Sequence, residues 1–239
     1  AGHLIQAGIA HHRATGSNRL LDVGRRFADH ICDSFGPHAL EGTDGHEEIE
    51  LALVELYRET DQDKYLAQAL YFLEARGREP SLLPTSPGAF GRAYYQDHLP
   101  VTSQIEAVGH AVRATYLATG MMDVTIEADQ PEMARAAEKL WESAFGRKAY
   151  VTGGLGARYE GESFGDDYQL PNEAAYAETC AAIGGIFWNW RMLCHSGDAK
   201  YADVMETALY NGALAGISLD GTKYFYMNPL TSRGGYERA

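Results

Sequence analysis

Apolar residues along this chain recur at intervals of three and four positions, which is the spacing of one face of an α-helix. The pattern predicts helices over residues 4–12, 20–31, 49–57, 65–73, 103–119, 131–145, 174–196 and 199–211. Residues 216–228 differ, because β-type side chains there surround an Asp220-Gly221 turn. A short β-hairpin is therefore expected near the C-terminal end of an otherwise helical chain.

A weak internal repeat groups the predicted helices into hairpins. Residues 14–23, 59–66 and 195–204 each combine a helix end, a short polar turn and the start of a new helix. Ser, Asp and Gly in these turns supply helix caps. One hairpin cannot bury its apolar face alone, so a succession of them closes into an α/α toroid or stacks into an open solenoid.

Two long irregular segments favour the toroid. Residues 80–101 hold four prolines, and residues 150–172 hold five glycines. Long loops inside a compact domain are usually functional, and loops that differ between hairpins suggest an active site at one mouth of a barrel. With no linker or low-complexity tract, residues 1–239 are interpreted as part of a single all-α (α/α)6 barrel domain, truncated at both ends.

The charge balance narrows the partners. The formal net charge is −13, and the 20 Lys and Arg residues form no basic stripe. Nucleic acid and anionic membranes are therefore not expected as partners, whereas a neutral sugar fits. Apolar stretches are too short and too broken by charge to span a bilayer. Only three cysteines are present, Cys32, Cys180 and Cys194, which argues against a disulfide framework and favours a reducing compartment such as the cytoplasm.

Two acidic motifs are candidates for chemistry. Glu178 and Cys180 are a zinc-competent pair, although side chains two apart in a regular helix point about 200° apart. They converge only at a helix start, and the alternative is a helical Glu beside a buried structural Cys.

Glu160 and Glu162 follow a Gly-rich loop that lacks the Lys-Ser/Thr of a phosphate loop. They are candidate general acids, or part of a solvated acidic loop.

The histidines form a third set. His3, His46, His98 and His110 lie near predicted helix ends or in loops. Each by itself reads as a structural histidine, whereas several converging at one barrel mouth would be typical of sugar-hydroxyl recognition. The chain also holds 15 tyrosines, which suits an aromatic-lined cleft. Candidates to stack on a sugar face are Tyr94, Tyr95, Trp188 and Tyr226, and the alternative for most of them is a place in the core.

Seven strings, taken in order, resemble one family, the glycoside hydrolases of family 127 type, which are typified by bacterial β-L-arabinofuranosidases. These strings are Ala1-Gly2-His3-Leu4-Ile5-Gln6-Ala7, Gln96-Asp97-His98-Leu99-Pro100-Val101, Ala107-Val108-Gly109-His110-Ala111-Val112-Arg113, Tyr150-Val151-Thr152-Gly153-Gly154-Leu155-Gly156, Leu170-Pro171-Asn172-Glu173-Ala174-Ala175-Tyr176-Ala177-Glu178-Thr179-Cys180-Ala181, Met205-Glu206-Thr207-Ala208-Leu209-Tyr210-Asn211-Gly212 and Phe225-Tyr226-Met227-Asn228-Pro229-Leu230. The resemblance covers nearly the whole chain.

The resemblance implies a catalytic (α/α)6 barrel, with the family's β-sandwich domains lying beyond this chain. It also implies a Zn²⁺ site made by one Glu and three Cys, of which Glu178 and Cys180 match the first two. The other two are adjacent cysteines expected beyond Ala239, and one of them is the family's nucleophile. Glu162 matches the acid/base carboxyl group, with Glu160 as the alternative.

Four further residues resemble those that contact the arabinofuranose. They are His3, His46, His110 and Tyr226. The resulting hypothesis is a retaining glycoside hydrolase acting on β-L-arabinofuranosides, in which residues 1–239 alone are inactive.

Two other hypotheses stay open. One is an α/α-barrel sugar epimerase or isomerase that uses His46, His98 and His110 as acid and base, with Cys180 merely structural. The other is a barrel that only binds a glycan or a partner protein. An open barrel also exposes apolar helix faces, so a homo-oligomer is a possible state.

Overall fold

The computed structural model describes residues 1–83 and 88–231, and its elements are almost entirely helical. The α-helices are α1 (Gly2–Thr15), α2 (Arg19–Ser34), α3 (Ile49–Thr60), α4 (Asp63–Ala75), α5 (Gly91–Tyr94), α6 (Ala111–Ala128), α7 (Pro131–Arg147), α8 (Thr179–Ser196) and α9 (Ala199–Thr207). Short 3₁₀ turns occur at Gly88–Phe90, Val101–Ser103, Glu160–Glu162 and Leu214–Gly216. The predicted all-α class is confirmed.

The long helices form two layers. In the inner layer, α1, α3, α6 and α8 pack side by side in chain order. In the outer layer, α2, α4, α7 and α9 each pack against the inner helix that precedes them. Within the described residues this makes four consecutive helical hairpins, arranged as in an α/α toroid, so the hairpin repeat seen in the sequence corresponds to the architectural unit.

The core lies between these layers. Helix α3 buries six of its hydrophobic side chains, among them Leu51, Leu53 and Leu56 at 1% exposure or less. Helix α6 is buried almost continuously from Thr115 to Thr125. Each of α3 and α6 has a neighbouring inner helix on both sides and an outer helix behind it. Almost every face of these two helices is therefore covered, and the contrast between their apolar and polar faces is weak.

Helix α6 begins at residue 111 rather than at the predicted 103. Gly109 has φ +72°, and a Cβ on it would lie 2.1 Å from the carbonyl oxygen of Ala93. The chain therefore turns at this glycine, where it passes directly against another backbone segment. The sequence pattern placed the helix start too early because Val101 and Ala107 are buried, as helix residues would be, although neither lies in an α-helix.

The start of α8 also differs from the prediction. The helix begins at Thr179 instead of residue 174, because Ala177 takes φ +39° and its N–H donates to the carbonyl oxygen of Gly156. Ala175, Tyr176 and Ala177 are nevertheless buried, which gives the segment the apolar content of a helix.

Near the C-terminal end, α9 passes at Thr207 into a π-helical turn, Ala208–Ala213. The predicted β-hairpin follows, and it is reduced to a single bridge between its two arms. Ile217 and Tyr224 form an isolated antiparallel bridge, and the Phe225 N–H donates to the Gly216 carbonyl at 2.7 Å. Across residues 1–83 and 88–231, none of the helices has both the length and the apolar character needed to cross a bilayer.

Candidate active site

The Glu162 carboxyl group is held by two side chains from different segments. Its Oε2 lies 2.9 Å from His110 Nε2, and its Oε1 accepts a 2.8 Å hydrogen bond from the Tyr176 hydroxyl. About a third of the Glu162 side chain stays exposed (34%), so it is oriented but still accessible. Glu160, the alternative acid, has an exposed side chain on the same turn.

Backbone contacts bring the Glu162 loop to the start of α6. Ser163 forms antiparallel bridges with both His110 and Arg158, and the Phe164 N–H donates to the Gly109 carbonyl at 2.9 Å. Glu162 itself has φ +50°, a conformation uncommon for a residue with a side chain. The surrounding contacts therefore hold a locally unfavourable backbone so that the carboxyl group meets His110.

Burial determines the protonation state of His110. It lowers the pKa of the imidazole to about 4, with Glu162 acting in the opposite direction. At neutral pH the ring is therefore neutral, and Nε2, which faces the carboxylate, carries the proton. The other nitrogen, Nδ1, is buried and has no hydrogen-bond partner in residues 1–83 and 88–231, so it remains an acceptor for a hydroxyl donor.

Glu178 and Cys180 converge because they lie at a helix start. Glu178 is the N-cap of α8, with an extended backbone (φ −60°, ψ 138°), and Cys180 is in the first turn. The Glu178 carboxyl group interacts with the Cys180 thiol and with the Tyr226 hydroxyl. Burial raises the pKa of Glu178, and burial together with the adjacent Glu178 raises that of Cys180 to about 12.

The Glu178 and Glu162 sites are continuous. The Thr179 N–H donates to the Tyr226 carbonyl at 3.0 Å, which holds the Tyr226 backbone beside the start of α8. Single ligand atoms of His110, Glu162 and Glu178 lie within 4.8 Å of one another. The predicted acid/base residue and half of the predicted zinc site therefore form one cluster.

Two of the other predicted histidines, His3 and His46, lie beside Tyr116 on α6. The Tyr116 ring centroid lies 6.1 Å from that of His3 and 6.4 Å from that of His46, and His46 is 6.4 Å from His110. The His46 Nδ1 contacts the Glu47 carbonyl at 2.7 Å. This contact assigns the proton to Nδ1 and leaves Nε2 as the acceptor. His3 Nδ1 lies 3.1 Å from Glu48 Oε1.

A cavity of about 400 Å³ borders this cluster. His3, His46 and Glu48 form a polar part of its wall, and Phe35 and Phe72 an apolar part. Neither Glu162 nor Glu178 lines it, so the cavity adjoins the carboxyl groups rather than enclosing them.

The structure thus brings together the seven predicted site residues. His98 lies apart from them, since the charged groups around it are Arg92, Asp97 and Glu106. The isomerase hypothesis therefore keeps only His46 and His110 of its three histidines in one place.

Sequence reasoning missed two residues at this site. Tyr176 orients Glu162, and the Tyr116 ring lies between those of His3 and His46. Tyr176 is two residues before Glu178 in one of the family-like strings, so its position was a usable signal, whereas Tyr116 lies in none of the strings. Of the rings named as candidates for a sugar face, Tyr94 meets His110 edge-on at 5.4 Å.

Glycoside hydrolases use carboxyl groups as acid and base, and Glu162 is a carboxyl group oriented by His110 and Tyr176 within a fold of helical hairpins. The model of the family described as "Beta-L-arabinofuranosidase, GH127 catalytic domain" matches residues 1–239. The chain therefore belongs to the GH127 catalytic-domain family, in agreement with the resemblance seen in the motifs.

Individual relatives agree with this assignment. A non-reducing end β-L-arabinofuranosidase from Bifidobacterium longum subsp. longum is 39% identical over 96% of this chain and 37% of the relative. The crystal structure of a GH127 β-L-arabinofuranosidase from Geobacillus stearothermophilus T6 superposes with a TM-score of 0.92, at 46% identity, over 96% of this chain and 38% of that one.

A second solved structure, the GH127 β-arabinofuranosidase BT3674, has a TM-score of 0.91 at 45% identity, covering 98% of this chain and 36% of that one. Residues 1–239 thus span less than two-fifths of the length of each of these relatives.

Proposed function

We propose that the full-length protein is a retaining glycoside hydrolase that releases L-arabinofuranose from β-L-arabinofuranosides, with Glu162 as the acid/base. The observation that carries the proposal is the Glu162 carboxyl group, held by His110 and Tyr176 within 4.8 Å of Glu178. The activity named for the relatives supports the choice of sugar.

In this proposal a cysteine expected beyond Ala239 bonds the anomeric carbon while Glu162 gives its proton to the departing glycosidic oxygen. Water then displaces that cysteine from the anomeric carbon, and Glu162 takes the proton that the water loses. His110 and Tyr176 each bond one carboxyl oxygen, so the acid keeps one orientation through both steps. The Nε2 of His46 and the Nδ1 of His110 are acceptors, which suits them to bind sugar hydroxyl groups. Tyr226 and His3 complete the wall around the sugar.

The residues present fit the zinc ion that the family resemblance implies. Glu178 Oε2 is buried and has no hydrogen-bond partner among the described residues, although a buried carboxylate oxygen normally has one. The Cys180 thiol beside it is a soft donor with a raised pKa. Glu178 and Cys180 would hold the ion together with two cysteines expected beyond Ala239. When bound, zinc lowers the pKa of its thiol ligands and keeps them as thiolates at neutral pH.

A different ligand set is also arranged around Glu178. His110, Glu162 and Glu178 have ligand atoms within 4.8 Å of one another, but zinc there would remove the proton donor and its partner from their roles. We therefore assign the ion to Glu178 and Cys180. Metal content distinguishes the two sets, because Cys180→Ser lowers the zinc stoichiometry only if the thiol is a ligand.

The test of the function is hydrolysis of p-nitrophenyl β-L-arabinofuranoside and a β-L-arabinofuranosyl disaccharide by the full-length protein. Glu162→Gln is expected to lower kcat by about 10²–10⁴-fold on the disaccharide, whose leaving group needs protonation. Glu160→Gln is the matched control on the same turn and should retain activity. Unchanged turnover in Glu162→Gln, or no hydrolysis by the wild type, would contradict the proposal. NMR of the first product anomer tests retention.

A further inference from the structure

Two exposed aromatic rings lie beside the Glu162 loop, and no role has been given to either. Phe90 is 56% exposed and Tyr159 is 64% exposed. Phe90 stacks on Tyr94, with ring centroids 4.9 Å apart and planes inclined by 21°. Tyr94 in turn meets His110 edge-on. A continuous row of rings therefore leads from the His110–Glu162 pair to the protein surface.

Phe90 packs against the backbone of Gly161, the residue before Glu162. Gly161 has φ +68°, and a Cβ on it would lie 3.1 Å from two atoms of the Phe90 ring and 3.3 Å from the Tyr94 ring. A side chain at residue 161 would therefore push the rings away. Phe90 and Tyr94 pack directly on the residue that precedes the acid.

The second ring is tied to the acid from the other end of the same turn. The Glu162 N–H donates to the Tyr159 carbonyl at 3.1 Å. The Tyr159 ring meets the ring of Tyr176 edge-on at 5.6 Å, and Tyr176 donates its hydroxyl hydrogen to Glu162. Phe90 thus packs on the residue before the proton donor, the Tyr159 backbone bonds the donor itself, and both rings are more than half exposed to solvent.

We propose that Phe90 and Tyr159 form the leaving-group subsite and take a neutral sugar ring. The inference rests on the proposed function, because a proton donor must contact the glycosidic oxygen and the leaving group is the part of the substrate on the far side of that oxygen. Rings exposed there can stack on the apolar face of a sugar, which combines large contact area with few flexible angles.

The nearby charges favour an uncharged leaving group. Arg158, next to Tyr159 in the chain, pairs with Asp166 at 3.0 Å, and its guanidinium also donates to Gln169. Arg92, close to Phe90 in the chain, is occupied by Asp97 and Glu79. Both cations are therefore already paired with described carboxylates, so neither of them is free to bind an anionic leaving group.

The test compares two substrates in the full-length protein that share the arabinofuranose and differ in the leaving group, a β-L-arabinofuranosyl disaccharide and methyl β-L-arabinofuranoside. Phe90→Ala and Tyr159→Ala are each expected to raise KM for the disaccharide by roughly three- to tenfold, the size of an aromatic stacking contact. KM for the methyl glycoside should not change. Phe27→Ala, an exposed phenylalanine on α2, is the matched control and should alter neither.

Conservative variants separate stacking from a structural role. Phe90→Tyr and Tyr159→Phe keep the rings and should keep the wild-type KM for the disaccharide. Equal losses on both substrates, or no loss on the disaccharide, would overturn the subsite while leaving the hydrolase proposal standing. If the wild type hydrolyses neither substrate, the proposed function fails and the subsite fails with it.

Discussion

The buried arginine that pairs with the acidic residues around His46 makes the sharpest stability prediction. Arg76 has no solvent exposure, and its guanidinium lies 2.6 Å from Asp44, 2.9 Å from Glu47 and 3.6 Å from Glu50. It also donates to the Tyr95 carbonyl at 2.9 Å. Asp44 and Glu47 flank His46 in the chain, so Arg76 holds together the loop that carries a predicted sugar-binding histidine.

Replacing Arg76 with Met keeps most of the volume and removes the charge. Glu47 and Glu50 have no solvent exposure, so the variant leaves Glu50 buried without its cation and Glu47 with only Arg113, at 3.6 Å. Breaking a buried pair by removing one partner costs about 3–5 kcal/mol, and the expected loss of unfolding free energy for Arg76→Met is of that size. We also expect KM for arabinofuranosides to rise, because the loop that orients His46 is loosened.

The assay is urea-induced unfolding of the full-length protein followed by circular dichroism, with Arg78→Met as the control. Arg78 is exposed, and its Nε donates to the Glu74 carbonyl at 2.8 Å. Its replacement should change the free energy by less than about 0.5 kcal/mol. A loss in Arg76→Met no larger than in Arg78→Met would refute the reasoning.

Three further predictions concern titration, catalysis and metal. Burial raises the pKa of Glu47 from 4.5 to about 7, so the native state binds this proton more tightly than the unfolded chain. The resulting stability is complete below pH 4.5 and is lost as the pH rises through about 7; Tm should fall between pH 5.5 and 8.5, and less so in Glu47→Gln. Tyr176→Phe removes the hydroxyl that bonds Glu162 at 2.8 Å, and it should lower kcat/KM about tenfold. The control, Tyr159→Phe, should leave kcat/KM unchanged. Equal kcat/KM values for the two variants would contradict the orienting role of Tyr176. In elemental analysis, Cys180→Ser should lack stoichiometric zinc, whereas Cys194→Ser, a change at an exposed position, should retain it. A full zinc content in Cys180→Ser would exclude the Cys180 thiol as a ligand.

Residues of the candidate site differ in how far the sequence could place them. Glu178 and Cys180 are two apart, and the only condition for their convergence was a helix start, which is a local property. Tyr176 donates to a carboxyl group fourteen positions away, and nothing in residues 174–178 separates its non-helical backbone from the apolar spacing of α8. The helix prediction was therefore wrong over these residues, and the role of Tyr176 was missed with it.

The sequence by itself determined the helical periodicity, the hairpin repeat and the family, because each depends on neighbouring positions or on short strings. Tertiary structure decided the convergence of His3, His46 and His110, which belong to the segments of α1, α3 and α6 and meet only because those helices pack side by side. It also decided the orientation of Glu162. That residue takes a positive φ maintained by contacts with distant segments, and no local residue preference encodes a conformation that long-range packing imposes.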